Sequence, residues 1–285
     1  MKKASKALFT TSLILFVVGV ACVVVGLVSG GDFRKLSPVF KSNEKLVSYD
    51  VTFDKEIKNL KLSNEVMSMK VVYGDSFKVS VKNVPEDSVD ASVEGDTLVV
   101  DVGFDSGWNV LDNAFRWMDG LFLEDEQSMV TVTIPKDFVA DKVEMNLDTG
   151  DIEVEEIKSK KGTFEVSVGE LTLERCVIEE KADFTIRVGD INVEQFEVDN
   201  MDVEIHVGNF EGAGTVKSKA KLSTNVGSIG LDLDGKMQDY QFICDTDVGD
   251  IEINNDSYGD KTIGTDNGIL IDCETNVGDI TIDTK

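Results

Sequence analysis

The stretch Phe184-Thr185-Ile186-Arg187-Val188-Gly189-Asp190-Ile191-Asn192-Val193 decides the fold. Apolar residues alternate up to Val188, skip across Gly189-Asp190, and alternate again from Ile191. Strand side chains have a period of two, so one slip turns every later residue to the opposite face. A flat strand cannot carry this pattern. The Gly-Asp step therefore reads as a corner, with glycine supplying the backbone that the bend requires.

The corner recurs at Gly150, Gly169, Gly189, Gly208, Gly227, Gly249 and Gly278, at intervals of 19, 20, 19, 19, 22 and 29 residues. A period near twenty is the mark of stacked coils, and the last interval fits one coil plus an excursion around residues 254–267. Five residues before each glycine stand Met145, Phe164, Phe184, Val203, Leu222, Cys244 and Cys273. One before stand Thr149, Val168, Val188, Val207, Val226, Val248 and Val277. Two after stand Ile152, Leu171, Ile191, Phe210, Ile229, Ile251 and Ile280. Four after stand Val154, Leu173, Val193, Leu231, Ile253 and Ile282, with Gly212 the exception. All four columns are expected to face inward. Each coil then holds two strands around the corner, and a second bend roughly eight to ten residues on returns the chain.

The expectation is an all-β, single-stranded, right-handed β-solenoid of the parallel β-helix kind over residues 46–285, with the repeats in 145–285. Outward columns are polar and largely acidic, such as Asp151, Glu170, Asp190, Asn209, Ser228, Asp250 and Asp279 directly after the glycines. These read as a solvated surface that keeps the stack from aggregating. Divalent cations held between stacked carboxylates are the alternative, although no EF-hand loop or calcium-binding nonapeptide is present. Cys244 and Cys273 share one phase and are expected to stack as buried free thiols, the alternative being a disulfide, which an extracytoplasmic location would permit.

Outward from the repeats, residues 46–102 hold short alternating runs such as Leu60 and Leu62, Met67 to Val71, and Leu98 to Val102. Residues 103–128 break that pattern, and Leu111, Phe115, Met118 and Phe122 follow helical spacing. A short amphipathic helix folded over the stack explains them. Alternatively Trp108, Phe115, Trp117 and Phe122 meet lipid or a partner. Residues 29–45 read as a juxtamembrane linker. Residues 7–28 carry no charge, and these 22 residues span about 33 Å as a helix, enough to cross a bilayer. Lys2, Lys3 and Lys6 in the cytoplasmic stretch 1–6 favour a signal-anchor with the C-terminal domain outside. A cleaved signal peptide has a shorter apolar core, and the valines after Cys22 argue against a lipoprotein site.

Composition narrows function. The chain has 54 acidic and 28 basic residues, a net charge of −26, which disfavours nucleic acid as a partner. Four cysteines lack metal or redox spacing, and His206 is the single histidine. Arg187 and His206 share an outward column, but no nucleophile–base–orienter set assembles around them, so neither catalysis nor a cofactor is expected.

The segments Val130-Thr131-Val132-Thr133-Ile134-Pro135 and Leu147-Asp148-Thr149-Gly150-Asp151-Ile152, followed by recurring Val-Gly-Asp-Ile, resemble the bacterial "putative adhesin" β-strand-repeat family, a domain of unknown function found in LiaG-like envelope proteins. Gly95-Asp96-Thr97-Leu98-Val99-Val100 matches its N-terminal strands, so the likeness covers residues 46–285. The resemblance implies a membrane-anchored envelope protein with no enzymatic residues to carry over. A surface scaffold or adhesin-like module that binds an envelope protein or polymer is the leading expectation. An accessory of envelope-stress sensing or of a transporter is the alternative, and a polysaccharide-active enzyme a more distant one.

Overall fold

Alternation becomes strand throughout residues 46–102, because side chains of period two can bury one face and wet the other. The computed structural model describes residues 46–85, 88–103, 129–259, 261–264 and 268–285. The expected anchor 7–28, its flanking segments, and Trp108, Phe115, Trp117 and Phe122 lie outside the described residues.

The first strands are β1 (Leu46–Phe53), β2 (Asn59–Asn64), β3 (Ser68–Gly74), β4 (Phe77–Pro85), β5 (Val89–Glu94), β6 (Thr97–Val102) and β7 (Met129–Pro135). Next come β8 (Ala140–Thr149) and four long strands, β9 (Ile152–Val168), β10 (Leu171–Val188), β11 (Ile191–Val207) and β12 (Phe210–Val226). Shorter elements follow: β13 (Ile229–Leu233), a 3₁₀ turn at Met237–Asp239, β14 (Tyr240–Val248), β15 (Ile251–Ile253), β16 (Asp256–Tyr258), β17 (Lys261–Gly264), β18 (Ile269–Val277) and β19 (Ile280–Thr284). The protein is all-β, with a long parallel sheet in which β8 through β12 stack in chain order.

Each long strand is one coil, and its burial shows three sides. In β10 the buried pairs Leu171 and Leu173, then Cys176 and Ile178, then the run Ala182, Phe184 and Ile186 face the core. Consecutive exposed residues separate them at Glu174–Arg175 and at Glu179–Lys181. The second break is the predicted return bend. The first is a further bend that the two-strand reading lacks. Inside, like packs on like: the Phe164 and Phe184 rings stack with centroids 5.0 Å apart. Each fully buried aliphatic or aromatic side chain contributes about 1.5–3 kcal/mol.

One predicted column is corrected. Val168, Val188, Val207, Val226, Val248 and Val277, expected inside, are 39–64% exposed. The inward column lies two residues earlier, at Leu147, Val166, Ile186, Ile205, Thr224 and Thr275, all buried. The coil already turns after that position, so the residues on both sides of the next peptide, such as Arg187 and Val188, face solvent. Ile191→Asp, at 1% exposure, is therefore expected to lose more than about 3 kcal/mol through an unpaired buried charge. Val188→Asp and Glu194→Lys are expected to stay within about 1 kcal/mol of the parent in thermal melts.

The stack departs from chain order at both ends. Strands β2 and β3 precede β6 to β9 in sequence yet lie between β6–β7 and β8–β9: Leu60 pairs with both Leu98 and Val143, and Met69 with both Val130 and Ile152. At the other end β18 and β19 slot between β12–β13 and β14–β15: Cys273 pairs with Leu222 and Cys244, and Ile280 with Ile229 and Ile251. The outermost coils are then covered by antiparallel strands, β5 on β6 and β4 on β7 at one end, β17 on β14 and β16 on β15 at the other. Covering the last parallel strand removes an open edge that would otherwise template aggregation.

Candidate functional site

The corners carry the features that repeat most faithfully. At Gly189 the backbone takes φ +139°, and a Cβ built there would sit 1.7 Å from the Gly169 carbonyl oxygen. Only glycine allows the coils to close to hydrogen-bonding distance here, with the Gly169 N–H donating to Val188 O at 3.0 Å and the Gly189 N–H to Val207 O at 2.9 Å. The same overlap, 1.6–1.9 Å, recurs from Gly169 through Gly227 and then Gly278 to Gly249, which restates the spatial order of the coils.

The residue after each glycine has a structural role that its acidity conceals. Asp151 Oδ1 accepts the Glu170 N–H at 3.0 Å, and Asp190 Oδ1 accepts that of Asn209 at 2.7 Å. Asn209 Oδ1 accepts the Ser228 N–H at 2.9 Å, Ser228 Oγ that of Asp279 at 3.2 Å, and Asp279 Oδ1 that of Asp250 at 2.9 Å. The column read as surface or cation ligand thus satisfies backbone donors at the bend. Among the described residues, no three His, Cys, Asp or Glu side chains are grouped to hold a metal ion. Behind the corner, the Thr224, Thr275 and Thr246 hydroxyls donate to the Gly208, Gly227 and Gly278 carbonyls at 3.2, 3.0 and 3.0 Å. Arg187 and His206 stand on neighbouring coils and both are exposed.

A surface depression arises where the repeat loses a residue. Gly212-Ala213-Gly214 in β12 turns in one residue fewer than the matching segment of β11, between Val193 and Phe196. A Cβ on Gly212 would come within 2.8 Å of the Phe210 ring and 3.1 Å of the Phe196 ring. These two rings fill the interior that Val or Leu fills in other coils, which explains the exception seen in the sequence. Outside, Glu194 and Ala213 border two shallow troughs. One of ≈ 620 Å³ runs past Asn192, Glu211, Gly230 and Asp232, and one of ≈ 380 Å³ past Arg175, Gln195, Thr215 and Asp234.

A charged cluster sits near β3. Lys158 Nζ lies 2.8 Å from Glu156, Arg175 Nε lies 3.9 Å from it, and the Tyr73 hydroxyl approaches it without a well-formed hydrogen bond. Burial and the Glu156 charge push Tyr73 up to about 12. Burial acts to raise the Glu156 carboxyl, but Lys158, Tyr73 and Arg175 outweigh it and hold the group below the ordinary 4.5. A depressed carboxylate stabilises the fold above its unfolded pKa, and that stability is lost as pH falls through the folded value. Lys158→Ala removes the largest opposing interaction. The acid-unfolding midpoint followed by circular dichroism is expected to move to higher pH, and the melting temperature to fall slightly at neutral pH, where the contribution of the ion pair is fully present.

Cys244 and Cys273 are paired neighbours and, like Cys176, are buried free thiols. The contact with Cys244 and burial raise the Cys273 thiol well above its ordinary range, and burial pushes Cys176 up to about 12. Such thiols are poor nucleophiles at neutral pH.

No curated protein matches the chain. Solved structures that resemble it include a "putative cell adhesion protein" from Clostridium sporogenes, at 16% identity over 85% of this chain and 100% of that one, with a TM-score of 0.33. Others are a "putative adhesin" from Bacteroides fragilis, at 12% identity over 86% and 98% with a TM-score of 0.34, and one from Parabacteroides distasonis, at 12% over 85% and 98% with a TM-score of 0.35. The Toastrack DUF4097 family matches residues 57–285, from the start of β2 through every repeat, and the chain belongs to that family.

Proposed function

We propose that this protein is a non-enzymatic, membrane-anchored β-solenoid of the bacterial cell envelope, acting as a surface scaffold or adhesin-like binding module. One observation carries the reading: the acidic, amide and hydroxyl side chains that follow the corner glycines accept backbone N–H groups from one coil to the next. Residues that could serve as acids or bases are thereby committed to holding a long, regular surface. Stacked-repeat proteins bind through such extended faces. A right-handed winding accords with the bias of parallel crossovers. The uncharged run 7–28 supplies the anchor, with residues 46–285 on the outer side of the membrane and an envelope protein or polymer as partner.

The test is protease shaving of intact cells that carry an epitope in the exposed turn at Asn255, together with sedimentation of the purified protein with isolated envelope polymer. Loss of the epitope from intact cells and saturable co-sedimentation are expected. An epitope protected until lysis, or no co-sedimentation at any concentration, would overturn the proposal.

A further inference from the structure

Eight large apolar side chains are exposed among the described residues, and six of them are Val168, Val188, Val207, Val226, Val277 and Val248. These six are successive register partners, so they form one unbroken line along the corner. Five steps of about 4.8 Å make a ridge roughly 24 Å long. Scattered exposed valines need no explanation, but a continuous line rimmed by polar residues marks an interaction surface.

The charges beside the ridge select the partner. Exposed Asp151, Glu170 and Asp190 flank one end, and exposed Asp247, Asp250 and Asp279 flank the other. The middle is flanked mainly by uncharged residues, Asn209, Asn225 and Ser228, with Arg187 the basic exception and His206 beside it. A second copy would bring acidic ends against acidic ends, and an anionic lipid surface would meet a chain of net charge −26. The 4.8 Å interval is close to the roughly 5.4 Å rise of one helical turn, so a helix of about 16 residues can lay an apolar stripe along the whole line.

We propose that the valine ridge docks a basic amphipathic helix of a partner protein, its apolar stripe on the valines and its lysines or arginines on the two acidic ends. This rests on the scaffold reading and assigns the face it uses. The probe is a fluorescent 16-residue helix of leucine and lysine with its leucines on one stripe, titrated against the full chain by anisotropy. Saturable binding is expected, weakened at least tenfold by the double substitution Val207→Ser and Val226→Ser. It is also expected to weaken at least tenfold for a scrambled peptide of the same composition. Both valines are exposed, and an unchanged melting temperature would show that the variant is folded. Equal binding of the scrambled peptide, unchanged binding by the double variant, or no binding to the parent would overturn the proposal. So would a parent that sediments as a dimer dispersed by the same substitutions. Loss of envelope co-sedimentation with peptide binding intact would instead count against the scaffold reading alone.

Discussion

A chain ending before Ile269 is expected to lose the packing of everything after β13, not merely to fray at one end. Strands β18 and β19 are hydrogen-bonded on both sides, to β12 and β13 and to β14 and β15. Their removal leaves β14 with β17 and β15 with β16, and no coil between these hairpins and the main stack. Buried Ile271, Cys273, Thr275, Ile280 and Ile282 go with them, together with the facing sides of two neighbouring coils. At about 1.5–3 kcal/mol for each large side chain, the loss approaches the net stability of a whole domain, about 5–15 kcal/mol. Limited proteolysis with mass spectrometry should show rapid cleavage throughout residues 234–264 and aggregation of the remainder. A truncated protein in which β14 to β17 stay protected would refute this stacking order.

Gly189→Ala, like the same change at the other corner glycines from Gly169 to Gly278, is expected to cause a large loss for a single added methyl. The new Cβ would meet the Gly169 carbonyl oxygen at 1.7 Å and its carbonyl carbon at 2.7 Å, backbone atoms that cannot swing aside, with φ at +139°. Strain at such a backbone costs about 1–3 kcal/mol, and forced separation of packed groups costs a similar amount again. A fall in melting temperature of roughly 10 °C follows for a domain of this size. Gly230→Ala is the matched control. Its Cβ would meet nothing nearer than 3.7 Å, so a change within about 0.5 kcal/mol is expected. Equal damage at both positions would show that the corner overlap is not what demands glycine.

The contrast between these two glycines shows what was legible in the sequence. The period, the parallel stacking and the columns two and four residues after each glycine could be read because burial repeats with the chain. The valine column was placed inside because alternation was carried one step too far into the corner. A strand pattern does not announce where its backbone begins to turn. The further bend did leave a signal, since Val154 to Ile157, Leu173 to Cys176 and Val193 to Phe196 each step by three between buried residues. The order of the coils left almost none. Every coil offers the same columns to its neighbours, so exchanging two of them leaves the pattern intact; only the long interval before Gly278 hinted at a detour. The acceptor ladder was hidden for another reason. Aspartate after glycine looks the same whether it faces water or a neighbour's N–H.

The displaced coils also give the fold a clock. On the ribosome, β14 and β15 emerge before the strands that will separate them from β12 and β13. Between Ile253 and Thr284 lie 31 residues of synthesis, roughly 2–6 s at about 5–20 residues per second. Through that interval the nascent chain holds a strand-wide gap that no earlier segment is built to fill. Isolated hairpins form in microseconds, so β14 to β17 can be ready long before their neighbour exists. Closure therefore cannot precede the synthesis of β18 and β19, and the final coil locks a structure that the preceding coils can only prepare.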